Sequence, residues 1–294
     1  MSAAALERLA LYFATEPTRQ GVLARAALCR AGPADRELTS RLVAGLESEI
    51  RADGSVGSAA LPTIWRVHEL CDLGRGGDAP VASLMSWVLA LQGRTGAYGE
   101  DCDKERHVQR ACAHYVRGFF SPSPPAVRLA PVTFPSGKAF RAEPAARFAL
   151  SCLALRAALR TGNGVNPSID DHVQSLSSLA TGWAGWNGFF APDVIVAGMH
   201  ALALAGEEHR SVVAALVGQI AANQDASGAW PNADLFQTLD ALVSSGLPEA
   251  REPVRSAVPA LLERQRADGT FGASAQQERA LIGLRALLWS EGRS

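Results

Sequence analysis

Residues Gln224–Trp230 read QDASGAW, and this stretch decides the fold. Residues Gln265–Gly272 read QRADGTFG and follow the same order. In both, a polar turn centred on Gly joins two apolar helical stretches, and an aromatic residue stands two positions after the Gly. Glycine permits the positive φ that a chain needs when it leaves a helix and turns back. Each stretch therefore predicts a helical hairpin with an aromatic wedge against its neighbour.

Gly-centred loops of this kind recur about every 42 residues on the N-terminal side of these two stretches. The central glycines are Gly54, Gly96, Gly137, Gly185, Gly228 and Gly269. Helical stretches that follow a loop, such as Val194–Leu204 and Leu235–Val243, are apolar nearly all round, whereas a stretch before a loop, Val212–Ala222, is amphipathic. Because a helix that is apolar all round is buried on most faces, the pattern predicts an inner and an outer layer of helices.

Six such hairpins predict an all-α chain in which residues 1–294 form one domain, an (α/α)6 toroid or barrel of helical hairpins with Gly-rich loops. An open solenoid is the alternative, but neither end of the chain reads as a polar cap, which favours closure. Two segments depart from the repeat. Residues 1–34 read as an N-terminal helical extension, and residues 121–135 as a Pro-rich irregular loop that we expect at the mouth of a cavity.

The composition argues against several function classes. Charged residues make up 19% of the chain and the formal net charge is −1, so nothing favours binding to nucleic acid or to an anionic membrane. No apolar stretch of about 18 residues and no signal peptide is recognisable, which predicts a cytoplasmic protein without a membrane span. The five cysteines form no CxxC pair and predict buried free thiols. The oligomeric state stays open.

The loop sequences resemble the QW repeats of squalene-hopene cyclase and its relatives, whose general form is QxxDGSW, and the looser repeats of protein prenyltransferase β subunits. The resemblance extends over residues 40–290. It implies the α/α toroid of the terpenoid-cyclase and prenyltransferase superfamily, with a central cavity for an apolar, isoprenoid-like substrate.

The catalytic motifs of that superfamily are altered here. Class II terpene cyclases protonate an alkene with the middle Asp of a DxDDTA motif at the start of an inner helix. The matching context keeps Asp193, but Ile195 and Val196 stand where the second and third Asp would be. The zinc-binding DxC of prenyltransferases, the CHG of LanC-like cyclases and a DDxxD diphosphate motif are missing from the corresponding places. We therefore assign no cofactor and no metal ligand.

Polar residues shortly after each Gly loop are the site candidates, because this end of the inner helices rims the cavity of an α/α toroid. The densest cluster holds the catalytic candidates Asp101, Asp103 and His107, with Arg110 and His114 further along the same helical face as substrate-binding candidates. Three interpretations stay open: an acid/base or substrate-binding site, a metal shared by Asp103 and His107, or an acidic helix start that favours the helix dipole.

Two further acids, Asp193 and Asp234, occupy corresponding places at inner-helix starts. Each is a catalytic candidate and also a candidate helix N-cap, a role worth about 1 kcal/mol. The remaining substrate-binding candidates are Glu143, Gln237, Trp65, Trp186, Phe189, Phe190 and Phe236. The aromatic rings among them can stabilise a carbocation, although loop aromatics such as Trp230 fit better as packing wedges. We interpret the isolated His68 and His200 as packing or surface residues.

Three functional hypotheses follow. The first is an atypical terpene-cyclase-like enzyme of specialised metabolism, an isomerase or lyase, that performs acid/base-assisted cyclisation of an apolar, isoprenoid-like small molecule in a central cavity. The second is a non-catalytic lipid- or polyketide-binding or auxiliary protein. The third is a metal-dependent prenyltransferase-like enzyme. We favour the first.

Overall fold

The computed structural model of the chain describes residues 2–98, 118–120, 128–163, 166–183, 186 and 192–293. Within these residues it contains twelve α-helices and one short antiparallel hairpin of two strands. The prediction of an all-α chain is confirmed. None of the described helices is both long and apolar enough to cross a membrane.

The described helices form two alternating sets along the chain, which we call the outer (odd-numbered) and the inner (even-numbered) helices. The odd-numbered helices are α1 Ser2–Phe13, α3 Pro33–Ser48, α5 Ala79–Ala90, α7 Pro167–Thr181, α9 Arg210–Ala222 and α11 Arg251–Glu263. The even-numbered helices are α2 Arg19–Ala27, α4 Ala60–Asp72, α6 Glu143–Arg160, α8 Pro192–Leu202, α10 Leu235–Ser245 and α12 Gln276–Ser290. Strands β1 Val132–Thr133 and β2 Ala139–Phe140 precede α6, and 3₁₀ turns at Glu207–His209 and Pro248–Ala250 lead into α9 and α11.

Burial separates the two sets of helices. In α6 nearly every residue from Ala146 to Ala158 is buried, whereas α9 buries a stripe made of Val213, Leu216, Val217 and Ile220. Along the chain, α4 contacts α6, α6 contacts α8, α8 contacts α10, α10 contacts α12, and α12 contacts α2. The apolar helices thus pack on one another, and the amphipathic ones cover them.

The loop Gln224–Trp230 joins its own hairpin to the next outer helix. Gln224 donates from Nε2 to the carbonyl of Gly228 within the loop and to the carbonyl of Pro253 in α11, both at 2.8 Å. Trp230 is buried and donates from Nε1 to the carbonyl of Ile220 in α9 at 2.9 Å. The aromatic is therefore a wedge with a satisfied N–H group, as expected for a buried Trp.

The last loop repeats these contacts with the first helix of the chain. Gln265 donates from Nε2 to the carbonyl of Ala5 in α1 at 3.1 Å, and its Oε1 accepts from Arg8 Nε at 3.0 Å. A side chain at Gly269 would lie 2.7 Å from the Arg8 carbonyl oxygen. In addition, α12 contacts both α1 and α2. The segment interpreted as an N-terminal extension thus packs on the C-terminal hairpin as a further helical pair.

The structure assigns two of the predicted loops differently. Gly96 and Gly137 both lie between the end of α5 and the start of α6, and Gly137 belongs to the turn of the β1–β2 hairpin. Five helical pairs therefore share the six glycines, and the α1–α2 pair has none of them. Residues 121–127 of the predicted irregular loop lie outside the described residues, and β1 occupies part of the remainder.

The expectation of buried thiols holds for one of the three described cysteines. Cys152 is buried in α6, Cys71 is half-buried, and Cys29 is exposed. Cys29 lies after the end of α2 at a φ of 56°, in a surface turn rather than in an apolar helix face. The prediction was wrong for Cys29 because the apolar stretch of sequence around it ends in that turn.

Substitutions at two glycines would test how closely the loops pack on the neighbouring helix. Gly228 has a φ of +84°, and a Cβ there would lie 1.9 Å from the Ser256 carbonyl oxygen of α11, whereas Gly246 has a φ of +63° with nothing within 4 Å. We expect Gly246→Ala to lower the free energy of unfolding by about 1 kcal/mol, from left-handed backbone strain alone. Gly228→Ala adds an overlap that only movement of α11 relieves, so its loss is larger. Urea denaturation measures both, and equal losses would contradict the close packing.

Candidate functional site

The β1–β2 hairpin lies over one end of the inner helices. Lys138 forms an ion pair with Asp193 at the start of α8. Arg279 of α12 donates from Nε to the carbonyl of Ser136 in the hairpin turn at 2.8 Å, and its Nη2 lies 3.8 Å from Asp234 Oδ2. The structure thus brings the two acids Asp193 and Asp234 together with two basic residues.

Both of these predicted acids have structural partners. Asp234 Oδ1 accepts from the backbone N–H of Gln237 at 3.0 Å, so Asp234 is the N-cap of α10. Asp193 Oδ1 lies 3.4 Å from the backbone nitrogen of Asp234, while its other oxygen faces Lys138. These carboxylates hold the hairpin against the helix starts.

Two of the substrate-binding candidates anchor loops. Glu143 accepts from the backbone N–H groups of Leu129 at 2.9 Å and Ala130 at 2.8 Å. Trp186 is buried and donates from Nε1 to the carbonyl of Pro231 at 2.8 Å. The structure places both side chains where they fix backbone segments.

A third candidate, Phe236, packs within the repeat. Its ring centroid lies 5.5 Å from that of Phe271, and the Arg279 guanidinium lies 5.0 Å from the Phe236 centroid. Apart from Trp65 and Gln237, the remaining predicted residues are Asp101, Asp103, His107, Arg110, His114, Phe189 and Phe190. All seven lie outside the described residues.

Two adjoining cavities lie between the even-numbered helices, and we treat them together as the two parts of one central cavity. Five residues line both parts: Trp65, Arg156, His200, Asp240 and Glu278. The smaller part, of about 50 Å³, lies under the hairpin and is bordered by Phe134, Ser136 and Gln237. The larger part, of about 300 Å³, lies toward the C-terminal ends of the inner helices. Of the predicted residues, Trp65 and Gln237 therefore face this cavity.

An ion-pair network forms one wall of the central cavity. Asp72 of α4 pairs with Arg19 of α2 and with Arg160 of α6, the latter at 2.7 Å. Arg19 also pairs with Glu278 of α12 at 2.6 Å. Burial alone would raise the pKa of Asp72, but the charges of Arg19 and Arg160 outweigh it, and the pKa lies below its usual value. Arg19 therefore ties α2 to both α4 and α12.

The adjoining His68 is neutral and oriented. Burial lowers its pKa well below the usual value. Its Nδ1 lies 3.1 Å from Arg160 Nη1, which only donates, and its Nε2 lies 3.1 Å from the Leu153 carbonyl oxygen. These partners fix the tautomer with the proton on Nε2. His68 therefore supports the orientation of Arg160.

The opposite wall contains an acid and a base side by side. His200 Nε2 of α8 lies 3.9 Å from Asp240 Oδ2 of α10. Burial raises the pKa of Asp240, and burial lowers the pKa of His200 well below its usual value. Asp240 therefore keeps its proton to a higher pH than an exposed Asp, beside an imidazole that stays neutral.

Several polar atoms at this wall have no hydrogen-bond partner in the described part of the chain. They are Arg156 Nε, His200 Nε2 and Gln237 Oε1, all buried. Burial lowers the pKa of Arg156 to about 10, so its guanidinium remains charged at neutral pH. Buried polar groups normally find partners, and unsatisfied ones that converge on a cavity are typical of a ligand site.

A sequence pattern that indicates this cavity lies within the helices and away from the loop ends. Polar residues four positions apart interrupt helices that are otherwise apolar, as in His68 with Asp72 and Arg156 with Arg160. Such a pair lies on one face of a helix and turns it toward the same space. His200, interpreted as a packing or surface residue, is buried and borders the cavity.

The described residues contain no group of three or more His, Cys, Asp or Glu side chains arranged to hold a metal ion. The cluster that left a metal site open, around Asp103 and His107, is outside that part of the chain. The acid/base and metal interpretations of that cluster both stay predictions.

Comparisons with known proteins identify a shared fold. No family model matches the chain, and no curated protein matches it significantly. Among solved structures, the chain is similar to the crystal structure of a protein from Actinoplanes, with a TM-score of 0.57 and 14% sequence identity over 99% of this chain and 100% of the other. At this identity the similarity concerns the fold alone.

The Asp72 network predicts a large and pH-dependent stability effect. Asp72→Asn leaves Arg19 and Arg160 buried without their anion, and we expect a loss of about 3–5 kcal/mol in the free energy of unfolding at pH 7. Because the folded pKa of Asp72 lies below its usual value, its contribution is present above the unfolded pKa, about 3.9, and is lost as the pH falls below it.

Chemical denaturation of wild type and Asp72→Asn at pH 7 and pH 3.5 measures both effects. The matched control is Glu252→Gln, at an exposed ion pair with Arg255 on α11, where we expect a loss below about 1 kcal/mol. An Asp72→Asn loss as small as the control, or one that does not shrink at the lower pH, would contradict the network.

Proposed function

We propose that the twelve helices close into an (α/α)6 toroid and that its central cavity is the active site of an enzyme that performs acid/base-assisted cyclisation or isomerisation of a small molecule. The contacts of the last loop with α1 support closure, because they repeat those of the preceding loop with α11. Arg19 supports it as well, since it links α2 to α4 and α12. The QW-like loops add the resemblance to terpenoid cyclases.

The observation that carries the enzymatic proposal is the pair formed by Asp240 and His200 in the cavity wall. Asp240 acts as the general acid and donates the proton on its carboxyl group to the substrate. His200 Nε2 acts as the general base and accepts a proton from another substrate atom. The two transfers balance, and the proton returns from the imidazolium to the carboxylate across the pair. Burial raises the pKa of Asp240 and lowers that of His200, the directions that favour a protonated acid beside a neutral base.

This assignment replaces the acids predicted from the loop ends. The motif position of class II cyclases corresponds to Asp193, which here pairs with Lys138 of the hairpin. We therefore assign Asp193 and Asp234 a positioning role, in which they hold the hairpin over the cavity. Trp65 lies at the cavity wall, where its ring can stabilise positive charge on a substrate.

The isoprenoid-like nature of the substrate stays a proposal that rests on the resemblance. Apolar side chains of Val196, Leu153 and Ile282 border the smaller part of the cavity and favour an apolar portion. The charged residues that border the larger part favour a polar portion. A ligand with both kinds of surface fits the two parts best.

We expect Asp240→Asn to lower turnover by about 10²–10⁴-fold, the usual contribution of a general acid. Wild type and variant are incubated with a fractionated cell extract, and masses that disappear and appear are recorded by liquid chromatography and mass spectrometry. The control is Asp170→Asn, at an exposed position of α7.

Loss of the fold does not explain such a result. The raised pKa of Asp240 means that its ionisation costs stability as the pH rises through the folded value, and Asn removes this cost. Asp240→Asn is therefore expected to be at least as stable as wild type at pH 8. Turnover equal to wild type in Asp240→Asn would refute the acid assignment, and no mass change with wild type itself would favour a non-catalytic binding protein.

A further inference from the structure

We propose that the central cavity binds its ligand through an oxyanion, a carboxylate or phosphate group, held by Arg156 and Arg285. The inference rests on the proposed function only in that both concern the same cavity. It assigns a substrate class that the acid/base pair does not define, and it does not depend on Asp240 being an acid.

The lining of the larger part of the cavity carries three arginines, Arg156, Arg160 and Arg285, and three carboxylates, Asp72, Asp240 and Glu278. His68 and His200 add no charge, because burial lowers both of their pKa values well below the usual range. Arg19 and Arg160 are ion-paired with Asp72 and Glu278, so Asp240 is the one lining carboxylate left for Arg156 and Arg285.

Two of the lining arginines, Arg156 and Arg285, take no part in the ion pairs of the cavity wall. Asp72 is shared by Arg19 and Arg160, and Glu278 is bound by Arg19. Arg156 and Arg285 form no hydrogen bond or ion pair with any described residue, and Arg156 Nε is fully buried. Two guanidinium groups that have only the Asp240 carboxyl between them are incompletely compensated, so an anion in the cavity would supply a second counter-charge.

Both arginines act on the same spot. Arg156, Arg285 and Asp240 line the same part of the cavity, and the charges of both arginines counteract the effect of burial on the pKa of Asp240. The forked donors of arginine match a planar carboxylate or a phosphate through two hydrogen bonds at once. A ligand anchored there has its neighbouring atoms beside Asp240 and His200.

The shape of the cavity defines how the ligand enters. The hairpin residues Phe134 and Ser136 border the small part, while Leu204, at the edge of the large part, is 38% exposed. The anion therefore enters from the C-terminal ends of the inner helices. The larger part measures about 300 Å³, which is at the low end of small-molecule sites and selects a compact ligand.

Isothermal titration calorimetry of the purified full chain with three small-molecule probes tests the proposal. The probes are benzoate, phenyl phosphate and the neutral benzamide. We expect at least one of the two anions to bind about tenfold or more tightly than benzamide. Benzoate binding alone identifies a carboxylate site, and phenyl phosphate binding alone identifies a phosphate site.

Arginine variants locate the site. Arg156→Gln and Arg285→Gln are each expected to weaken anion binding by about tenfold or more, and Arg156→Lys, which keeps the charge but not the fork, less. Arg210→Gln is the matched control, because Arg210 is 51% exposed on α9. Circular dichroism checks folding, and Arg285→Gln keeps the test valid if Arg156→Gln unfolds.

Equal binding of the anions and benzamide, or anion binding unchanged in folded Arg156→Gln and Arg285→Gln, would overturn the anion site. Asp240→Asn separates this result from the proposed function. We expect that variant to bind the anion at least as tightly as wild type, since Asn has no negative charge with which to repel it in any protonation state of Asp240, while it loses turnover. Retained turnover in Asp240→Asn together with lost anion binding in Arg156→Gln would refute the acid and leave the anion site standing.

Discussion

The contact between Gln265 and the first helix is the interaction on which the rest of the structure depends. A helix that is apolar on all faces is stable only when every face is buried against other helices. A linear stack of helical pairs would leave an apolar helix face exposed to solvent at each end. Here Gln265 holds α1 through the Ala5 carbonyl and the Arg8 side chain, so the N-terminal pair covers the C-terminal pair. Both ends of the chain are thereby buried against each other.

Packing α2 and the five largely apolar even-numbered helices side by side brings their polar residues into one space. Each of these residues would be costly to bury alone, and the ion pairs of Arg19 with Asp72 and Glu278 offset that cost on one wall. On the other wall Arg156 Nε, His200 Nε2 and Gln237 Oε1 have no hydrogen-bond partner among the described residues. Buried polar groups normally find partners, so this wall is where we propose that a ligand binds.

The irregular part of the repeat lies at the same cavity. Between α5 and α6 the simple Gly loop is replaced by a longer connection that includes the β1–β2 hairpin, and the hairpin covers one end of the cavity through Lys138 and Ser136. The regular Gly loops form the scaffold. The irregular connection with the β1–β2 hairpin covers one end of the cavity and so leaves the opposite end for the entry that we propose for a ligand.

The sequence by itself determined the helices, the turns and the order of the layers. A Gly at positive φ, a Gln that reaches the next helix and an aromatic wedge act over a few residues, and helix burial follows from local periodicity. Only the tertiary structure decided that Gly96 and Gly137 share one connection and that the first two helices form a further pair. It alone placed Asp240 beside His200, which lies 40 residues earlier in the chain. In the sequence, Asp240 and His200 each stand as a single polar residue within an apolar helical stretch. The distance between them depends on how α8 packs on α10, and no local sequence pattern encodes that packing.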